Sequence, residues 1–173
     1  MEAIQNRTSD KSMELFQVDD AGNLFISPAI SDWDALVHHR VDTVIDLDGD
    51  LDSGVPTGPN QWLYIYFPIW DEDLPDLHKL HAIGGLGANI IRSGHRVLSH
   101  CGMGFNRSAL VAGVILHELG MPGPDVVSRL RSRRPGALFN ECFAAYLEQL
   151  PKPGHVESKL LSRAVAGNGA AGL

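Results

Sequence analysis

Cys101 and Arg107 are separated by five intervening residues, with His100 directly before the cysteine and Ser108 directly after the arginine. A thiol and a fixed cation at that spacing offer nucleophilic attack on a bound anion. The interval Gly102-Met-Gly-Phe-Asn106 is uncharged and holds two glycines, and it separates the apolar run Val97-Leu-Ser99 from a second run, Ala109 to Leu116. Strand, loop and helix in that order aim successive backbone N–H groups and the positive end of a helix dipole into one concavity. Such a concavity holds a phosphate dianion with few charged side chains. Gly102 and Gly104 allow the close backbone approach this requires. A cysteine among those dipoles and beside a guanidinium is expected to react as the thiolate. Arg107 can grip two phosphoryl oxygens at once and stabilise charge in the transition state, which the single ammonium of a lysine does not do. Ser108 can donate a hydrogen bond to the sulfur and ease its departure. His100 can brace the loop by bonding its backbone. The amides of Gly102, Met103, Gly104, Phe105 and Asn106, with Arg107, form the expected phosphate cradle.

These residues resemble the signature of the protein tyrosine phosphatase superfamily: His-Cys, five residues, then Arg followed by Ser or Thr. His100, Cys101, Arg107 and Ser108 match every fixed position. Rhodanese-like sulfurtransferases also use a cysteine loop, but typically one residue shorter. The resemblance implies hydrolysis of phosphomonoesters through a phosphocysteine intermediate, with no cofactor and no metal. It also implies a general acid on a mobile loop upstream of the cysteine. Tyr66-Phe-Pro-Ile-Trp-Asp-Glu-Asp-Leu-Pro-Asp76 resembles that loop in the Pro-x-x-Asp form of dual-specificity members. Asp71 is then the expected acid, with Asp73 as second choice because spacing does not rank neighbouring carboxylates. Arg134-Pro-Gly-Ala-Leu-Phe-Asn140 resembles the family's closing segment, whose asparagine serves architecture, and Asp46 is read as scaffold too.

The resemblance runs from about Val18 to Leu150. That span is short for the tyrosine-specific enzymes, whose additional recognition loop deepens the cleft. It implies a small dual-specificity type acting on phosphotyrosine and phosphoserine or phosphothreonine in proteins, or on small phosphomonoesters. A catalytic loop without lysine disfavours polyphosphoinositides. Gly104-Phe-Asn-Arg-Ser108 also resembles the loop of RNA 5'-triphosphatases in the superfamily, an alternative that the acidic chain weakens. The alternative of another class is a phosphatase-like module that binds phosphorylated partners without turnover. Such modules usually lack the cysteine or the arginine.

The elements that must position these residues can be read around them. Asn23 to Ile26, Asp42 to Leu47, Trp62 to Phe67 and His95 to Ser99 have the short apolar, β-branched or aromatic character of strands. Helical stretches are expected at Asp32 to His39, Leu77 to Arg92, Asn106 to Leu119, Pro124 to Ser132 and Glu141 to Leu150, the last with Asn140 as N-cap and a stripe of Phe143, Tyr146/Leu147 and Leu150. Alternation of the two predicts an α/β fold with a mostly parallel central sheet of four to five strands flanked by helices. A flexible leader is expected over 1–12, the catalytic domain over 13–150 and a flexible Gly/Ala-rich tail over 151–173.

With 173 residues, 44% hydrophobic and 20% charged, the chain is of ordinary globular composition and suits one domain. Its formal charge of -7 speaks against nucleic acid and anionic membranes as partners. Arg129, Arg131, Arg133 and Arg134 form the local exception, read as a solvated helix end rather than a substrate-facing basic rim. No stretch reaches the length of a membrane span and the start has no secretory pattern, so a cytoplasmic location is expected. Cys142 is expected as a packed helix residue rather than a disulfide partner of Cys101. His38 with His39, and His78 with His81, lack matching ligands for a metal.

Overall fold

The computed structural model describes residues 13–151; the expected leader and, from residue 152 on, the expected tail lie outside them. Five strands, β1 (Phe16–Gln17), β2 (Leu24–Ser27), β3 (Thr43–Asp46), β4 (Leu63–Tyr66) and β5 (Val97–His100), form one sheet in the order β1-β2-β5-β3-β4. All neighbouring pairs are parallel except β1 with β2. The mostly parallel sheet is therefore as expected, and the four expected strands fall where the apolar runs lie. Only the two-residue edge strand β1 has no counterpart in the sequence reading. It is too short to show a period of two, and it is placed by a turn in which the Asp19 carboxylate accepts from the amides of Gly22, Asn23 and Leu24.

Side-chain alternation along the strands divides the interior in two. Leu24 and Ile26 of β2, Ile45 of β3 and Val97 of β5 face the larger core; Phe25, Val44 and Leu98 face the smaller one. The smaller core is closed by α1 (Trp33–His38), through Leu36, and by Trp33, Trp62 and Tyr64. The larger core is covered by α2 (Leu77–Arg92), α3 (Arg107–Glu118), α4 (Gly123–Arg133) and α5 (Glu141–Glu148). Each expected helix is present, within two residues at either end. Asp32, Asp76 and Asn140 are side-chain N-caps, which is why α1, α2 and α5 begin where they do.

The central helix is α3. Every residue from Ser108 to His117 is buried, as an all-apolar run such as Ala109 to Leu116 requires of a helix. It packs against α2 through glycines: a Cβ on Gly84 would lie 2.4 Å from Val114 Cγ1, and one on Gly87 would lie 2.7 Å from Ile115 Cδ1. The contact therefore depends on the absence of side chains, and neighbouring Gly85, with nothing within 4 Å, does not share that constraint. Gly84→Ala is expected to destabilise the protein by about 1–3 kcal/mol through overpacking. Gly85→Ala is expected to stabilise it by about 0.5–1 kcal/mol through helix propensity. Urea denaturation of the two variants checks the opposite signs; equal effects would mean that the α2–α3 contact is looser than the glycines indicate.

Candidate active site

The parallel register sets Ser27, His100, Asp46 and Tyr66 in one row across the C-terminal ends of β2, β5, β3 and β4. Ligands of open parallel sheets bind outside these ends. The chain leaves the central strand β5 at Cys101, turns through Gly102 to Asn106 and enters α3 at Arg107. Gly104 takes φ +70°, and a Cβ there would lie 2.5 Å from the Ser27 carbonyl carbon, so the turn is open only to glycine. Cys101 is 2% exposed. Its Sγ accepts from the Gly104 amide at 3.3 Å and lies 3.6 Å from Ser108 Oγ, where the sequence places the hydrogen bond to the sulfur. Among the described residues, the amides of Gly102, Met103, Phe105 and Asn106 have no hydrogen-bond acceptor. Asn106 opens α3 without capping it by its side chain, which leaves the helix N-terminus available to an anion.

Arg107 closes this concavity. Its Nη1 donates to the Leu47 carbonyl at 3.0 Å, to Asp48 Oδ1 at 3.1 Å and to the Ile69 carbonyl at 3.4 Å. Its Nε is buried and has no partner. One edge of the guanidinium is thus anchored to protein while the other is free to donate.

Of the two candidate acids, the structure brings Asp71 to the loop. Its Oδ2 accepts from Asn106 Nδ2 at 2.9 Å and its Oδ1 from Asn140 Nδ2 at 3.3 Å. The Asp73 side chain makes no hydrogen bond or ion pair among the described residues and lines an adjoining hollow with Pro75 and Lys79, away from Arg107. Asn140 joins three structures at once: it caps α5 through the amides of Cys142 and Phe143, holds Asp71 and the Glu72 carbonyl, and gives its own amide to Asn106 Oδ1. The sequence places Asn106 in the cradle for its backbone only and Asn140 as a cap. That both side chains hold Asp71 depends on a meeting of loops distant in the chain, for which spacing carries no signal.

The expectation for His100 is corrected. Neither ring nitrogen bonds the loop backbone. Alternation along β5 sends Val97 and Ser99 towards the α3 side and Leu98 and His100 towards the other, so the ring points away from the loop. There Nε2 lies 2.9 Å from Asp52 Oδ2 and 3.5 Å from Asp46 Oδ1, neither in line for an N–H hydrogen bond. The Tyr64 hydroxyl donates to the Asp46 carboxylate and lies 3.2 Å from Asp52 Oδ2. Burial pushes His100 below its ordinary value against the pull of both carboxylates, and burial pushes Asp52 up. Ligand atoms of Asp46, Asp52 and His100 all lie within 4.8 Å of one another, close enough by distance to share a cation. Both carboxylates already have Tyr64 as partner, and the cluster lies behind the cysteine, not in the cradle. Asp48 and Asp52 both escape the sequence reading, although the alternating acids of Asp46-Leu-Asp-Gly-Asp-Leu-Asp52 are a visible signal.

Cys142 is also corrected: it is exposed, one position off the stripe Phe143, Ala144 and Leu147 that α5 buries. The arginine cluster lies at the α4 end as expected, but its members take partners in the fold instead of being solvated alone. Arg129 and Arg133 pair with Asp20 at 2.7 and 3.0 Å, and Arg131 bonds the Leu138 carbonyl at 3.1 Å. Arg134 lies between the rings of Phe16 and Phe105, its guanidinium carbon 3.9 and 4.1 Å from their centres. His81 bonds Tyr146. No helix among the described residues is long and apolar enough to cross a membrane.

The pH dependence of stability follows from His100. With the ring held neutral in the folded chain, the unfolded chain takes up the proton first as the pH falls below about 6.5, so stability is lost on acidification. Asp52 has the opposite sign: its raised value makes the folded form the better proton binder, so its contribution falls as the pH rises above 3.8. Melting temperature is expected to drop between about pH 7 and pH 5.5, and to drop less in His100→Asn. An equal drop in that variant would assign the acid sensitivity to another group.

A cleft of about 590 Å³ opens beside Arg107, lined by Asp48, Ile69, Trp70, Asp71 and Glu72 among others. No family model matches the sequence, and no curated protein does. The architecture matches that of human DUSP28, at 22% identity and TM-score 0.65 over 78% of this chain and 90% of that one. It also matches a mouse putative dual specificity phosphatase complexed with zinc tungstate, at 21% and 0.66 over 94% and 98% of the two chains. A third match is the human tyrosine phosphatase-like serine/threonine/tyrosine-interacting protein, at 20% and 0.64 over 86% and 99%. Strand order, cysteine loop and central helix thus lead to one conclusion, that this chain has the fold of the dual-specificity phosphatases.

Proposed function

We propose that the chain is a cysteine-dependent phosphatase that hydrolyses phosphomonoesters, with phosphotyrosine and phosphoserine or phosphothreonine in proteins as its substrates and residues 13–150 as its catalytic domain. The observation that carries this reading is the free edge of Arg107, placed with unpartnered loop amides around a buried cysteine and with Asp71 at the rim. The phosphoryl group takes the concavity, its oxygens accepting from the loop amides and Arg107. Cys101 Sγ attacks phosphorus, an S–P bond forms and the P–O bond to the leaving group breaks while Asp71 gives that oxygen its proton. Water then attacks phosphorus, Asp71 takes a proton from it, and the S–P bond breaks with the Ser108 hydroxyl donating to the departing thiolate. Arg107 and the amides supply the charge stabilisation, so the residues at hand need no cofactor. A reactive free thiol suits a reducing compartment, in keeping with a cytoplasmic location.

Wild-type protein is expected to hydrolyse an aryl phosphate with an acid-trappable phosphocysteine, unaffected by EDTA. Cys101→Ser is expected to abolish turnover yet still bind phosphopeptides, because the amides and Arg107 remain. Wild-type protein that binds phosphopeptides without turning over any phosphate ester would instead be a phospho-binding module. Asp71→Ala is expected to lower kcat by about 10²- to 10⁴-fold on poor leaving groups and to flatten the alkaline limb of the pH–rate profile. Asp73→Ala, two residues away and outside the contact with Asn106, is expected to keep that limb. Exchange of these two outcomes would move the acid to Asp73.

A further inference from the structure

The surface around the cradle has a composition of its own. Asp48, Asp71 and Glu72 line the cleft, and Arg107 is its one lining cation. A phosphate dianion adds further negative charge to that space. Arg129, Arg131 and Arg133 offer no relief, since Asp20 and the Leu138 carbonyl hold them, and Arg134 is enclosed between Phe16 and Phe105. Lys79 lines the adjoining hollow that shares Trp70 and Glu72, yet Glu72 forms no ion pair with it or with any other described residue.

The same rim is apolar to an unusual degree. The most exposed large hydrophobic side chains among the described residues are Trp70 at 84%, Met103 at 66%, and Leu51 and Phe139 at 62% each. Each stands on one of the segments that meet at the site: Leu51 on the segment carrying Asp48, Trp70 beside Asp71, Met103 in the phosphate loop and Phe139 beside Asn140. Trp70 lines the cleft itself, and the Phe139 ring lies 6.1 Å from that of Phe105 in the phosphate loop, so exposed apolar side chains border the place the phosphate takes.

We propose, on the reading that this site cleaves phosphomonoesters, that its substrate is a phosphorylated polypeptide segment with Arg or Lys flanking the phosphorylated residue and apolar side chains near it. A flanking guanidinium can pair with Glu72 and lie over the Trp70 ring while the phosphate takes the cradle; Glu72 is the lining carboxylate that neither pairs with Arg107 nor carries the proton for the leaving group. The apolar neighbours cover Met103, Phe139 and Leu51. Polyanionic phosphates, such as a 5'-triphosphate end of RNA or a polyphosphoinositide, bring only more negative charge to this rim and are disfavoured by it.

Two phosphotyrosine peptides, identical except for Arg or Glu on both sides of the phosphotyrosine, test the inference by kcat/KM. The Arg-flanked peptide is expected to be favoured roughly tenfold or more at low salt, with the ratio shrinking at high ionic strength. Glu72→Lys is expected to bring the ratio near parity, and Trp70→Ala to narrow it. Equal rates for the two peptides, or preference for the Glu-flanked one, in a wild type that cleaves aryl phosphate would overturn the substrate assignment and leave the phosphatase reading intact. Absence of turnover on every ester would remove the phosphatase reading instead. Fluorescence anisotropy with the same peptides then decides the charge preference: tighter binding of the Arg-flanked peptide supports it, and equal binding overturns it.

Discussion

The guanidinium of Arg107 is the joint on which the site depends. Its Nη1 reaches Leu47 and Asp48 after β3 and Ile69 after β4, so one cation holds two loops against the phosphate loop. Those anchors also orient the opposite edge, which is buried and unpartnered at Nε. A cation largely removed from water needs compensating acceptors, and the carbonyls with Asp48 supply them without using the donors that an anion would require. Loss of the Asp48 carboxylate would free the side chain to swing, and a bidentate grip depends on a fixed fork. The position of the helix is as important as the side chain. Because α3 is buried along its length, its first residue cannot shift without moving the core.

Asp71 is held on different terms. Both its oxygens accept from asparagine amides, one from the residue before Arg107 and one from the N-cap of α5. The acid loop is therefore docked by two hydrogen bonds from neutral amides to the carboxylate, and not by an ion pair. Such bonds set the carboxyl group in place and leave it able to turn its proton towards a leaving-group oxygen. The asparagines also share a bond of their own, Asn140 backbone amide to Asn106 Oδ1, so the phosphate loop, the acid loop and the closing segment are tied together at one point.

What was legible in the sequence was whatever local spacing determines. The interval between Cys101 and Arg107, the apolar runs on either side, and the N-cap at Asn140 are all short-range patterns, and strands and helices follow them closely. Asp71 over Asp73 could be preferred only by likeness, because two carboxylates in one loop differ in what they meet across the fold, not in their spacing. The second uses of Asn106 and Asn140 were invisible for the same reason. Cys142 lies off the buried face although apolar residues follow it, because a helix of only eight residues gives its face little redundancy. β1 is two residues long and owes its place to the Asp19 turn.

His100 shows how a constraint of the sheet reaches the chemistry. A nucleophile that follows the last residue of a central strand must have that residue's side chain on a face set by the pleat, here the face opposite α3. The ring is wholly buried there, with Asp46 beside it in register on β3 and Asp52 reaching it from the connecting loop, while Tyr64, two residues earlier on β4 than the row of His100, bonds both carboxylates. Asp52 is thereby fixed behind the sheet end, by His100 and by the Tyr64 hydroxyl, which also accepts the Asp52 amide at 3.1 Å. The loop between Asp46 and Asp52 is then pinned at both ends, and Asp48 lies between the pins, where it meets Arg107. The pleat thus sends the ring towards the segment from Asp46 to Asp52, so its contacts bear on the loop that carries Asp48, while the His100 carbonyl accepts from the amide of Leu47, whose own carbonyl holds Arg107.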